Sequence, residues 1–343
     1  MSRILVTGGA GFIGSHLVES LIAAGECVTV LDDFSTGTLD NLADAAGGDL
    51  RILTGSVLDA AAVSEALEGC DRVYHLAVQC VRRSLAQPVQ NHQINATGTL
   101  IVLEAARRHK ISRFVYCSSS EVYGNTSTGL LDEENTVCRP VTIYGSAKLA
   151  AEHYTQAYFE TYGLPCVIVR PFNAYGPRAH HSGDLAEVIP RFVIRVLSGY
   201  PPIIFGDGTQ GRDFTYVTDV ARGLVLAGAS DRLVGRRVNI AYGRMVTILD
   251  VARVIMNACG RNDLDAELSS RRPGDVNMLR ADTRLASSLL GYRATVRFED
   301  GVTRYVNWFR TRHPDPCRLL EEQIENWSLP AAATEPFHGQ GRL

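Results

Sequence analysis

Short runs of β-branched and aliphatic residues alternate along the first half of the chain with stretches whose apolar residues return every three or four positions. Ile4-Leu5-Val6-Thr7 is the first run, and it is closed by glycines. Residues 15–24 then carry apolar side chains at helical spacing, with Gly25 as a natural stop. Cys27-Val28-Thr29-Val30-Leu31 is a second run, ending in Asp32-Asp33. Arg51-Ile52-Leu53-Thr54, residues 72–77 and Phe114-Val115-Tyr116-Cys117 predict three more strands, with a helix over 93–109 before the last. Such alternation predicts an α/β fold, a doubly wound parallel sheet with helices on both faces and a smaller α/β lobe beside it. The sheet domain is expected over 1–172, with 212–241 returning to it. The smaller lobe takes 173–211 and 242–312. Pro314, Pro316, Pro330 and Pro336 punctuate 313–343, which reads as a surface tail.

Composition narrows the partners. A 45% hydrophobic share, 21% charged residues and a formal charge of −3 describe an ordinary globular protein of 343 residues. No Lys/Arg run suggests a nucleic-acid surface, and no apolar run approaches the roughly 20 residues that span a bilayer. The strand pattern begins at Arg3, leaving no room for a signal peptide, so the cytoplasm is the expected location. The eight cysteines are scattered without metal-ligand spacing and are expected to be reduced thiols, with no bound metal.

Gly8-Gly9-Ala10-Gly11-Phe12-Ile13-Gly14 joins the first strand to the first helix, and the second strand ends in an acid. This is the context that a dinucleotide fingerprint requires. Glycines let backbone N–H groups approach a pyrophosphate at a helix N-terminus. The acid accepts hydrogen bonds from both ribose hydroxyls and repels a 2′-phosphate, which favours NAD over NADP.

The strand 114–117 runs into Ser118-Ser119-Ser120-Glu121, where an open α/β sheet holds its ligands. Tyr144-Gly145-Ser146-Ala147-Lys148 opens a helical run, and residues at i and i+4 share a helix face. A free phenol titrates near ~10. An adjacent ammonium is expected to bring it toward the working range, so that Tyr144 removes a hydroxyl proton while hydride leaves the same carbon.

Together the glycine loop, His75-Leu76-Ala77, Ser118-Ser119, Val122-Tyr123-Gly124, Tyr144 to Lys148, Arg170-Pro171-Phe172-Asn173, Tyr175-Gly176-Pro177-Arg178, the segments 206–214 and 216–220, and Arg271-Arg272-Pro273-Gly274-Asp275 resemble the extended short-chain dehydrogenase/reductase superfamily. The similarity is to its nucleotide-sugar epimerase, dehydratase and decarboxylase branch. It implies a Rossmann domain, NAD, a nucleotide-sugar substrate and a homodimer paired through the Lys148 helix. For the cofactor it implies Gly8, Gly11 and Gly14 at the pyrophosphate, Asp32 at the adenosine ribose, Lys148 on the nicotinamide ribose, and Phe12, Ile13, Asp33, Leu76, Ala77 and Asn95 around them. Where relatives carry Asp after the third strand this chain has Gly55-Ser56-Val57, which leaves Val57 to pack on adenine. For the chemistry it implies Tyr144 as base and Ser119 beside the C4 oxygen. For the substrate it implies Asn173, Arg178, Val188, Arg212 and one of Arg271 or Arg272, since guanidinium groups match phosphate oxygens.

The branch shares a 4-keto intermediate and then divides. Hexose 4,6-dehydratases carry an Asp–Glu pair where this chain has Ser120-Glu121, and serine is a poor general acid. Epimerases of the branch lack a carboxylate at Glu121. Uronate decarboxylases carry Thr-Ser-Glu, to which Ser119-Ser120-Glu121 is similar, and Arg82 is a cation available to a uronate carboxylate, to the cofactor phosphates or to solvent. The sequence therefore ranks a UDP-glucuronate decarboxylase first, a 4-epimerase next and a dehydratase third. An NAD(H)-sensing binding protein is the alternative outside enzymes.

Overall fold

The computed structural model describes residues 3–125, 129–272, 276–321 and 325. Pro273, Gly274 and Asp275, and the part of the expected tail that holds Pro330 and Pro336, lie outside the described residues.

Six strands form in order through the first half: β1 (Arg3–Thr7), β2 (Cys27–Asp32), β3 (Leu50–Thr54), β4 (Cys70–His75), β5 (Arg113–Cys117) and β6 (Cys166–Pro171). Between them run α1 (Phe12–Ala23), α2 (Ala60–Ala66), α3 (Arg83–Ala86), α4 (Pro88–His92), α5 (Gly98–Arg108) and α6 (Ile143–Tyr162). The later elements are β7 (Ala174–Tyr175), α7 (Val188–Leu197), β8 (Ile203–Phe205), β9 (Gly211–Asp213), β10 (Thr215–Tyr216), α8 (Val217–Ala229), β11 (Arg237–Ile240), β12 (Met245–Thr247), α9 (Ile248–Cys259), β13 (Glu267–Ser269), α10 (Arg284–Leu290) and α11 (Phe298–Arg312).

The main sheet has the order β11-β6-β5-β4-β1-β2-β3. Every pairing in it is parallel, which makes it a Rossmann sheet. Strands buried on both faces need apolar side chains on both, and β2 is buried along its whole length. One core lies on the α1 and α8 face and a second on the α2 and α5 face. Strand order reverses between β1 and β4, so a crevice opens at the carboxyl ends of those strands.

The smaller lobe has its own core of Phe192, Val193, Phe214, Val251, Val302 and Phe309 among others. Its boundaries differ from the sequence reading in three places. The returning segment starts at Val217 and not at 212, because β9 pairs antiparallel with β12 and β10 pairs with β7. The later stretch gives α10 back to the sheet domain, where Ala286 and Tyr292 enter the core on the α1 face. The start of the expected tail packs, since Leu319 and Leu320 rest against the lobe's apolar core. The predicted 93–109 helix also begins early. Pro88 opens it, and a π-helical turn over Gln93–Thr97 joins α4 to α5.

All eight cysteines are free thiols. Among the described residues no helix is long and apolar enough to cross a membrane, and no cluster of His, Cys, Asp or Glu could hold a metal ion.

Candidate active site

A cavity of about 750 Å³ opens at the crevice and reaches into the smaller lobe. Its first half is built on the glycine loop. Gly14 sits so close to the preceding turn that a Cβ there would stand 2.1 Å from the Gly8 carbonyl oxygen. Gly8 has φ +68°, and a Cβ on it would stand 2.7 Å from the Ala77 nitrogen. The backbone is thus bare where a pyrophosphate would meet it. Phe12, Ile13, Asp32, Asp33, Val57, Leu76 and Ala77 line the same half. Asp32 accepts N–H bonds from Ala10 and Phe34, each at 2.9 Å, and burial raises its pKa. These bonds leave further lone pairs on both carboxylate oxygens for ribose hydroxyls. Ser56 is used locally, its hydroxyl accepting the Leu58 N–H at 3.2 Å, while Val57 is buried.

His75 is structural. It hydrogen-bonds Thr7 at 2.7 Å and Thr99 at 3.0 Å, and burial lowers its pKa to about 3.

The reactive groups meet where β5 ends and α6 begins. Ser119 caps the 3-10 turn Ser120–Val122, its hydroxyl accepting the Glu121 N–H at 3.2 Å. Thr142 caps α6 by accepting the Gly145 N–H at 3.1 Å, which puts Tyr144 in the first turn and Lys148 one turn further. Ser119, Ser120, Glu121, Tyr144 and Lys148 all line the cavity.

Burial raises the Tyr144 phenol well above its ordinary value, against the pull of a hydrogen bond with Ser119. This corrects the expectation of a lowered phenol. Desolvation lowers the Lys148 pKa to about 8, and the charges of Cys117 and Glu152 oppose it. The Lys148 ammonium donates to the Cys117 carbonyl at 2.8 Å and lies 4.8 Å from the Tyr116 ring centroid.

In the second half Arg82, Asn173, Val188, Arg212 and Arg272 line the wall. Asn173 Oδ1 is buried without a hydrogen-bond partner, an acceptor suited to a ligand. Arg191 and Arg195, one turn apart on α7, also line it. The sequence reading missed them, although their i, i+4 spacing at the lobe's helix was the available signal.

Three expected site residues are elsewhere. Arg178, with φ +68°, turns away to pair with Glu19 and with Asp44, the latter at 2.9 Å, pinning its loop to α1. Arg271 is exposed and hydrogen-bonds Asn277, leaving Arg272 as the cavity arginine of that pair. Asn95 is buried behind the wall, accepting the Gln79 N–H and donating to the Gln79 carbonyl, both at 3.0 Å. It shapes the loop that follows β4 without lining the cavity. Arg82 lines the wall but is engaged. Its Nε donates to the Asp184 carbonyl at 2.7 Å and its Nη2 to the Leu185 carbonyl.

A dinucleotide-shaped crevice beside a Tyr–Lys–Ser cluster, continued by an arginine-lined pocket, defines a nucleotide-dependent enzyme of the short-chain dehydrogenase/reductase class. The family model for the NAD dependent epimerase/dehydratase family matches residues 4–241. The chain belongs to that family, whose cofactor is NAD.

A dTDP-glucose 4,6-dehydratase of Actinoplanes is 35% identical over 318 residues, covering 90% of this chain and 98% of that protein. A putative UDP-glucose 4-epimerase of Methanocaldococcus jannaschii is 35% identical over 315 residues, covering 90% of this chain and 99% of its own. The crystal structure of the dTDP-glucose 4,6-dehydratase DesIV of Streptomyces venezuelae, with NAD and TYD bound, superposes with a TM-score of 0.86 at 32% identity, covering 93% of this chain and 100% of that one.

Proposed function

We propose that this protein oxidises C4 of a nucleotide-linked hexose and then eliminates water across C5 and C6, as a 4,6-dehydratase. The observation that carries the reading is the Glu121 carboxylate on the same cavity wall as Tyr144, near enough to add to the electrostatic load on the phenol. When bound, NAD supplies the hydride acceptor and adds positive charge to the cavity. Tyr144, hydrogen-bonded to Ser119, takes the proton of the C4 hydroxyl, and Ser119 holds that oxygen in line. Lys148, buried and still protonated near neutral pH, steadies the phenolate. With C4 a ketone the C5 proton becomes acidic. Glu121 is the carboxylate placed to remove it and hand it to the C6 hydroxyl, which leaves as water. Return of the C4 hydride to C6 with reprotonation of C5 closes the cycle without net oxidation.

The uronate decarboxylase that the sequence ranked first loses support, because Arg82, the cation offered for the substrate carboxylate, is spent on two backbone carbonyls. A 4-epimerase is the second reading. It is favoured by Ser120, a hydroxyl where a dehydratase would want an acid to protonate the leaving group. The substrate is taken to be UDP- or dTDP-linked. The homodimer is taken to pair through α6, the helix of Lys148, a reading supported by exposed Tyr162 on α6 and Leu100 on α5.

The test is to incubate the NAD-loaded protein with dTDP-glucose, UDP-glucose and UDP-glucuronate and weigh the products. Loss of water from a hexose is expected. An unchanged mass with inverted C4 would replace the reading by the epimerase, and loss of carbon dioxide by the decarboxylase. Tyr144→Phe should abolish every outcome.

A further inference from the structure

Glu187 stands at the start of α7 and lines the sugar-diphosphate half of the cavity. Its backbone is fixed on both sides: its N–H donates to the His180 carbonyl at 3.0 Å, and its carbonyl accepts the Arg191 N–H at 3.2 Å. The side chain is half-buried and opens to the cavity. Among the described residues no group donates a hydrogen bond to its carboxylate.

That sets it apart from the buried carboxylates. Glu152 is held by Ser118 and by Arg170, Asp213 by the Gly243 and Ala281 N–H groups, and Asp219 by the Thr295 and Val296 N–H groups and Arg222. Desolvation without donors pushes the Glu187 pKa up to about 7, with the Arg82 charge opposing. The other group that feels its charge is the buried Tyr305 phenol of α11. A half-buried carboxylate without a protein donor loses hydration that nothing in the fold replaces. It becomes useful when a ligand brings the donor.

The location says which part of the ligand. Arg82, on the loop that follows β4, donates to the Asp184 and Leu185 carbonyls just ahead of Glu187, and all four residues line the cavity. The Glu187 stretch of wall is therefore tied to the loop at the carboxyl end of β4, on the crevice side of the smaller lobe.

We propose that Glu187 reads the sugar: its carboxylate accepts a hydrogen bond from a hydroxyl or amide N–H of an uncharged hexosyl unit, and turns away a sugar that carries its own carboxylate. The assignment rests on the nucleotide-sugar reading of the cavity and adds to it a residue that selects the substrate's charge.

Binding of UDP-glucose, UDP-glucuronate and UDP to the full-length NAD-loaded protein, measured by calorimetry for the parent, Glu187→Gln and Glu187→Ala, tests it. The parent should hold UDP-glucose about tenfold tighter than UDP-glucuronate, the scale of one charge-assisted hydrogen bond. Glu187→Gln, nearly isosteric, should bring the two within roughly threefold by removing the repulsion. Glu187→Ala should weaken UDP-glucose about tenfold and leave UDP unchanged. An unaltered glucose-to-glucuronate ratio in Glu187→Gln overturns the assignment, and so does equal weakening of UDP and UDP-glucose in Glu187→Ala. Binding is read without turnover. A protein that shows these ratios yet converts no sugar keeps Glu187 in this role and loses the dehydration. One that releases water with the ratio unmoved keeps the dehydration and loses Glu187.

Discussion

Lys148 carries its ammonium into a buried place and meets the Cys117 carbonyl, the Tyr116 ring and, one turn along α6, the charge of Glu152. Glu152 is itself locked, with Arg170 at 2.6 Å and the Ser118 hydroxyl at 2.5 Å. Arg170 and Glu152 are 0% and 3% exposed, so this is an ion pair out of water. Removing one partner strands the other charge, at a cost of about 3–5 kcal/mol. Glu152→Gln should lower the unfolding free energy from urea titration by that amount, and the double variant Glu152→Gln/Arg170→Met should recover much of it, because replacing both charges removes the desolvation penalty as well. The single variant has a second effect. Glu152 raises the Lys148 pKa against desolvation, so its loss moves that pKa further below about 8. Activity that needs the ammonium falls as pH rises through that value. The alkaline limb of kcat/KM should therefore shift to lower pH, and an unmoved limb would mean that Glu152 has no part in holding the charge. Tyr144 and Lys148 were legible as a pair because helical spacing is local. Arg178 was misjudged because nothing in a single sequence tells a guanidinium that grips a ligand from one that grips Glu19 and Asp44.

At the level of elements, a strap of cavity-lining residues joins the lobes. Arg82 and Arg83, at the start of α3, reach the turn Gly183–Leu185 ahead of α7: Arg82 bonds two carbonyls, and Arg83 Nε lies 3.0 Å from the Asp184 carboxylate. The turn is held from the other side by Glu321, which accepts the Gly183 N–H. The Arg83–Asp184 pair is partly exposed and is worth about 0–1 kcal/mol. Asp184→Asn should thus leave the melting temperature nearly unchanged. Release of a bound nucleotide sugar should quicken about two- to fivefold at low salt, and the difference should vanish near 1 M salt, where screening removes the pair. Identical release rates in stopped flow at low salt would show that the strap does not govern exit. Strands and helices were readable from β-branched runs and 3.6-residue periodicity. The strap was not, since its halves are 101 residues apart and neither has a periodic signature. The π-helical turn over Gln93–Thr97 was hidden for a similar reason: it lets Asn91 and Asn95 turn inward to hold the Gln79 backbone, a tertiary demand invisible in local propensity.

For the whole molecule, two separately cored lobes share one cavity, so whatever fills it ties them together. The cofactor half belongs to the sheet domain, and Asp32 lines it, a carboxylate already holding Ala10 and Phe34 and the one proposed to meet the adenosine ribose. A ligand that binds only the folded state adds about 2.7 kcal/mol at 100 times its dissociation constant. For a protein of 343 residues each kcal/mol raises the melting temperature by roughly 1–2 °C. NAD at that excess should therefore raise it by about 3–5 °C. NADP at the same concentration should shift it far less, because its 2′-phosphate would meet the Asp32 carboxylate in a buried setting where water cannot screen the repulsion. Asp32→Asn should narrow the gap by weakening NAD and tolerating NADP together. Equal shifts with both dinucleotides in the parent protein would remove Asp32 from the ribose and reopen how the chain tells one from the other.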